Sequence, residues 1–142
     1  HPKLIQLLGI AVNEASGAAE WMVTELATTS LDRFLRDQGI VAPALLCRLL
    51  RDALTAVAYL HAREYVHRDI KGDNILVFGE GDCVTAKLSD VGLAKLVEAA
   101  SGGRPYGAPF YMAPEMVDGG YDNTVDVFSF GVMTAELCLK HI

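Results

Sequence analysis

An α+β fold is predicted for this 142-residue chain on three observations. Short apolar runs bounded by turn residues occur near the N-terminus and again around residues 75–88, as strands require. Between them, residues 31–35 and 46–60 carry apolar side chains at helical spacing. A further stretch, 126–139, leaves little polar face, as expected of a helix enclosed on most sides.

Taken in order, His1-Pro2 stops any helix before it. Leu4, Ile5, Leu7 and Leu8 are expected to form a buried strand ending at Gly9. Asn13 to Glu20, rich in Ala, Ser and Gly, reads as a hairpin turn, and Trp21 to Leu26 as the second strand. Ser30 is an N-cap candidate for a helix with Leu31, Phe34 and Leu35 on one face, ended by Gly39. Pro43 stands near the start of a longer helix, where its missing N–H costs little. The apolar face of that helix is expected at 46, 49, 50, 53, 54, 57 and 60, with Arg48, Arg51 and Asp52 opposite. His61, near its C-terminus, suits the helix dipole. Gly79-Glu80-Gly81-Asp82 is a turn between strands Ile75–Phe78 and Val84–Leu88. In the last helix Val127, Phe130, Val132, Met133 and Leu137 leave little polar face, so enclosure on most sides is expected.

A composition of 51% hydrophobic and 21% charged residues suits a packed core and argues against disorder. The net charge of −6 gives no support to a nucleic-acid or anionic-membrane partner. No apolar run reaches the roughly 18 residues of a membrane span. Cys47, Cys83 and Cys138 are odd in number and dispersed. They are expected to be reduced, buried thiols of a cytoplasmic protein, not a metal site or disulfide. The chain starts at His1, not Met, and is expected to begin inside something larger or to have been processed or cut.

Chemistry concentrates in His67-Arg68-Asp69-Ile70-Lys71-Gly72-Asp73-Asn74, a charged loop between a helix and a strand. Charged residues are seldom buried for stability, and loops on rigid scaffolds commonly carry function. Asp69 can accept a proton from a hydroxyl, and Lys71 can place positive charge on a phosphoryl group. Asn74 offers a neutral oxygen of the kind that binds magnesium.

This stretch resembles the catalytic loop of eukaryotic protein kinases, His-Arg-Asp-Leu-x-x-x-Asn, with Ile70 at the Leu position. Three more kinase-like signatures follow in the same order: Ser89-Asp90-Val91-Gly92, Tyr111-Met112-Ala113-Pro114-Glu115 and Asp126-Val127-Phe128-Ser129-Phe130-Gly131. One short motif carries a real false-positive risk, but four at matching spacing do not. The resemblance implies a partial kinase-like fold. Residues 1–26 would be the last strands of the small β lobe and the start of the hinge, and 27–142 the mainly helical large lobe through its central helix.

It further implies a Ser/Thr protein kinase that moves the γ-phosphoryl group of ATP to a hydroxyl of a protein substrate. Lys71 marks the Ser/Thr type, and Ser30-Leu31-Asp32-Arg33-Phe34-Leu35 resembles the tyrosine-kinase-like group. Asp69 would be base and orienter, with Lys71 and Asn74 beside it, and Mg²⁺ would sit on Asn74 and Asp90. Thr24 as gatekeeper, the backbone of Glu25 and Ala27, and Leu76 would hold the adenine. Arg68 would clamp an activation segment phosphorylated at Ser101, His67 would pack in the spine joining the lobes, and Gly107-Ala108-Pro109 would receive the substrate. Asp73 is read as a solvated turn residue.

Two positions depart from the family. Val91 replaces Phe, and Ala108 replaces a Thr whose hydroxyl helps tie Asp69 to Lys71. The family's Gly-rich loop, strand Lys and helix Glu do not occur upstream of residue 24, so these residues alone are expected to bind ATP weakly and turn over little. Two alternatives compete with an active kinase. A pseudokinase acting as a binding or scaffold module is suggested by Val91 and Ala108 and opposed by the intact Asp69, Lys71, Asn74 and Asp90. A truncated interaction protein is opposed by the apolar surface it would expose.

Overall fold

Asn13 organises the first turn: its Oδ1 accepts the N–H groups of Ala15 and Ser16, each at 3.0 Å, and Gly17 follows at φ 67°. The turn joins β1 (Leu7–Val12) to an antiparallel β2 (Ala19–Thr24). The computed structural model describes residues 1–91, 94–96, 107–116 and 121–142, without the side chains of Asp82 and Lys95. The first strand starts three residues later than expected, with Gly9 inside it at a register shift. Residues 3–5 run beside another strand instead: Ile5 donates its N–H to Leu88 O and Leu88 donates to Lys3 O, both at 2.8 Å. Nor is the hairpin buried. Leu7 is 49% and Leu8 61% exposed, because among the described residues no second layer covers either face of this two-stranded sheet.

Thr29–Ser30 forms β3 and leads into α1 (Leu31–Gln38). Ser30 caps the helix by accepting the Arg33 N–H at 3.4 Å, and Gly39, at φ 73°, ends it. α2 (Pro43–His61) packs on β6 (Thr85–Leu88), the outer strand of an antiparallel sheet ordered β3-β5-β6, where β5 is Ile75–Phe78. The strand alternation places Ile75 and Val77 of β5, and Ala86 and Leu88 of β6, in the core. β4 (Tyr65–Val66) pairs with β7 (Lys95–Leu96), and α3 (Thr124–His141) completes the fold.

Two readings of helix faces are corrected. On α2, Asp52 is buried and Leu54 exposed, the reverse of expectation. Asp52 lies three residues after Leu49 and four before Ala56, on the buried stripe itself, while Leu54 falls beyond its edge. On α3 only one face is covered: Val125, Ser129, Met133 and Leu137 are buried, whereas Val127, Phe128 and Leu139 are exposed. The cysteines are free, but Cys47 and Cys83 are exposed and Cys138 half-buried, so the expected burial fails for two of three. Among the described residues no helix is long and apolar enough to cross a membrane.

The core is one cluster shared by α1, α2, β5, β6 and α3, with a smaller one formed by Val66, Ala113, Met116, Tyr121 and Val125. Asp52 ties the N-terminal residues to the first. Its Oδ2 accepts from Lys3 Nζ at 2.7 Å, Thr85 Oγ1 at 2.8 Å and the Ala86 N–H at 3.1 Å. Burial pushes its carboxyl pKa up, but these donors outweigh burial and hold it below the ordinary 3.8. Asp52→Ala is therefore expected to lose about 2 kcal/mol in urea unfolding at neutral pH. A folded pKa below the unfolded one gives stability that is complete above the unfolded value, near 3.9, and lost as pH falls through the folded value. The gap between wild type and variant should thus narrow when unfolding is repeated at progressively lower pH below about 4.

Candidate active site

The catalytic-loop sequence follows β4 and is shaped first by a residue far from it in sequence. Asp126, fully buried in the first turn of α3, accepts the His67 N–H on Oδ2 and the Arg68 N–H on Oδ1, both at 2.8 Å. His61 Nε2 lies 2.8 Å from the same Oδ2, so a residue read as suited to the dipole has a specific partner. Arg68 takes φ 71°, in the left-handed region that non-glycine residues rarely occupy. The amides on either side of the His67 Cα are thus fixed where the backbone enters that turn. His67 is buried, and its Nε2 lies 2.8 Å from Ser89 O, which joins the loop to the end of β6.

Asp69 is the convergence point. Its Oδ2 accepts from Lys71 Nζ at 2.6 Å and from Asn74 Nδ2 at 2.8 Å, and its Oδ1 from the Ala108 N–H at 3.1 Å. Asn74 Nδ2 also reaches the Asp69 carbonyl, at 2.8 Å. Burial raises the Asp69 pKa, but the Lys71 ammonium, the Asn74 amide and the Ala108 N–H outweigh it, and the net shift is downward. The group is a fixed carboxylate of low basicity, suited to orient a hydroxyl more than to pull its proton away early. Asp73, between these residues, is exposed.

Ser89 brings the next charged group in. Its N–H and its Oγ both donate to Asn74 O, at 2.8 and 2.9 Å, which sets Asp90 beside the loop. Asp90 is exposed at φ 56°. With the Asn74 amide nitrogen committed to Asp69, its carbonyl oxygen and the Asp90 carboxylate are two hard donors that fit a magnesium ion. Among the described residues no three His, Cys, Asp or Glu side chains cluster to hold a metal. Phosphate and water oxygens would have to complete the shell, as magnesium sites on nucleotides commonly do. Gly92 and Ser101 lie outside the described residues.

The residues expected around the adenine gather at β5. Leu76 is half-buried there, paired with Ser30 on one side and Lys87 on the other. Lys87 Nζ donates to both Glu25 carboxylate oxygens, at 2.7 and 2.6 Å, and the Gln6 N–H donates to Glu25 Oε1 at 2.8 Å. The Lys87 bond is the main cause holding the Glu25 pKa below its ordinary value. Besides the backbone role expected of Glu25, its side chain braces the segment. Its N–H donates to Gln6 O at 3.0 Å, which leaves its carbonyl for a ligand. Ala27 is followed by Thr28, whose N–H bonds Val77 O at 3.0 Å, and Thr24 is exposed at the end of β2.

Residues 107–116 are seated on α3. Ser129 Oγ donates to Tyr111 O at 2.7 Å, and the Tyr111 hydroxyl donates to the Glu136 carboxylate. Burial first, then the adjacent Glu136, pushes the Tyr111 pKa far above its usual range, so the phenol stays protonated. Sequence reasoning missed the Asp126 carboxylate, Ser129, Glu136 and the Glu25 side chain. Asp126 and Ser129 had a signal: two polar residues three apart on the face that also bears Met133.

The model of the protein kinase domain family matches residues 1–142. This chain belongs to that family. It is 36% identical over 140 residues to mitogen-activated protein kinase kinase kinase 3 of Arabidopsis thaliana, covering 96% of this chain and 22% of that protein. It is 35% identical to the serine/threonine-protein kinase WNK2 of Mus musculus, over 96% of this chain and 6% of the relative. It is 34% identical to the dual serine/threonine and tyrosine protein kinase of Gallus gallus, over 100% of this chain and 15% of the relative. The chain thus spans less than a quarter of the length of each of these proteins.

In this kinase-domain segment Asp126 should matter for the loop before it matters for chemistry. Asp126→Ala leaves two buried amides without an acceptor, and about 3 kcal/mol of stability should be lost. Amide hydrogen exchange should accelerate at His67 and Arg68 more than in the middle of α2. Equal acceleration in both places would show that the carboxylate serves general stability only.

Proposed function

We propose that the chain is the central part of a Ser/Thr protein kinase that transfers the γ-phosphoryl group of ATP to a serine or threonine of a protein substrate. The observation that supports it most is the Asp69 carboxylate, fixed through both oxygens by Lys71, Asn74 and Ala108. A substrate hydroxyl would donate its hydrogen bond to Asp69. The transfer has a loose transition state in which nucleophile deprotonation is not strongly demanded early, so positioning and charge neutralisation supply most of the rate. A carboxylate of lowered pKa suits that task. Lys71, bonded to Asp69, carries a positive charge to the place where the transferring phosphoryl would pass. Magnesium on Asn74 and Asp90 would neutralise the phosphates.

On the nucleotide side Thr24 would border the adenine pocket, the backbone of Glu25 and Ala27 would bond the base edge, and Leu76 would meet its face. Arg68 would receive a phosphate on the activation segment, with Ser101 as its bearer. ATP supply and free, exposed thiols fit a cytoplasmic setting. No observation favours the pseudokinase reading. Val91 does leave the spine short, being 40% exposed, but the His67 ring is held by Ser89 instead.

The test uses the full-length parent protein and magnesium-dependent transfer to Ser/Thr peptides. Asp69→Asn and Asp90→Asn should each lower kcat by about a thousandfold. Because the Asp69 pKa is lowered, its carboxylate stays ionised down to below the ordinary 3.8, and its loss should not limit kcat anywhere near neutrality. A parent that binds nucleotide without magnesium dependence and transfers nothing would establish the binding-module alternative.

A further inference from the structure

Ala108, where the kinase resemblance implies a Thr, has no side-chain hydroxyl to offer Asp69. The donor that reaches it is the Ala108 backbone N–H, at 3.1 Å. That amide is delivered by Gly107, whose φ of 118° lies where residues with a Cβ are strained. Space is equally restrictive. A Cβ at Gly107 would stand 2.4 Å from Arg68 O, a backbone atom with little room to yield, and 3.6 Å from Asp69 Oδ1. Segment 107–108 therefore lies directly on the Arg68–Asp69 peptide, and Asp126 holds the preceding His67–Arg68 peptide through the Arg68 N–H. Its far end is anchored as well: Tyr111 N–H closes a turn onto Ala108 O at 3.0 Å, and Ser129 and Glu136 hold Tyr111.

We infer that Gly107 is a positioning residue for phosphotransfer: its bare, left-handed backbone seats the Ala108 N–H on Asp69 Oδ1, and this main-chain donor orients the carboxylate where a side-chain hydroxyl is missing. The inference rests on the kinase reading above and adds to it how the base is aimed in this chain. It makes the orientation of Asp69 depend on whether segment 107–111 is seated on α3. A hydroxyl on a side chain could follow Asp69 through small shifts of that segment, but a backbone amide cannot.

Two variants of the full-length parent separate this role from ordinary turn formation. Gly107→Ala introduces the clash, and Ala108→Pro deletes the N–H at a φ of −74° that proline accepts. Each is expected to lower kcat about a hundredfold with KM for ATP unchanged, since a misplacement near 1 Å can cost that much. Introducing Ala108→Ser into the Gly107→Ala variant should recover part of kcat by supplying a hydroxyl. In the parent labelled with ¹⁵N-alanine, the Ala108 amide proton should change position on Asp69→Ala, and the same substitution should leave it unmoved in the Gly107→Ala variant.

The inference is overturned if both variants keep the parent's kcat, or if kcat, ATP affinity and melting temperature fall together with no recovery by Ala108→Ser. It is also overturned if the Ala108 amide ignores Asp69 in the parent. A parent that transfers no phosphate while its Ala108 amide still follows Asp69 overturns the kinase reading, which is a different failure.

Discussion

A single buried carboxylate sets the terms for the site. Asp126 has no exposure to water, and removing a carboxylate from water is costly unless donors surround it. The chain meets that demand with two consecutive loop amides and an imidazole, from residues 58 to 65 positions away. Satisfying Asp126 fixes the His67 and Arg68 amides where the backbone enters the left-handed turn at Arg68, and beyond that turn Asp69 lies next to Lys71, Asn74 and Ala108. His67, held by the same carboxylate, reaches Ser89, and Ser89 delivers Asp90 to Asn74. The geometry of the candidate site is therefore downstream of a desolvation problem solved at the start of α3.

The same helix holds the opposing wall. Ser129 and Glu136 grip Tyr111 and so seat the segment that carries Ala108. At 100° per residue, positions 126, 129 and 136 fall within about 80° of the helix circumference. One narrow strip of α3 thus fixes both the loop that bears Asp69 and the segment that aims it. Because both partners refer to one rigid element, their relative position is better defined than two independent loops could achieve.

Much of this was legible from the residues. Ser30 and Gly39 bracket α1 through local capping chemistry, Pro43 begins α2, and the Gly79–Asp82 turn separates β5 from β6, because each signal acts within a few residues. Asp69, Lys71 and Asn74 could be grouped because five positions of chain join them. What escaped depends on distant partners. Asp52 looked like a solvent-facing charge until Lys3 and β6 supplied its donors, and Glu25 looked like a backbone contributor until Lys87 claimed its carboxylate. Leu7 and Leu8 looked buried because they lie in an apolar run, but hydropathy does not say whether a covering layer is present. The role of Gly107 is invisible in sequence because it consists of a carbonyl that passes too close for a methyl group.

The separation between the loop and its anchor also has a consequence in time. Arg68 and Asp126 are 58 positions apart, and ribosomes add about 5–20 residues per second. The nascent chain therefore carries His67–Asn74 for roughly 3–12 s before its anchor has even been synthesised. During translation the loop has its residues before it has the anchor that shapes it.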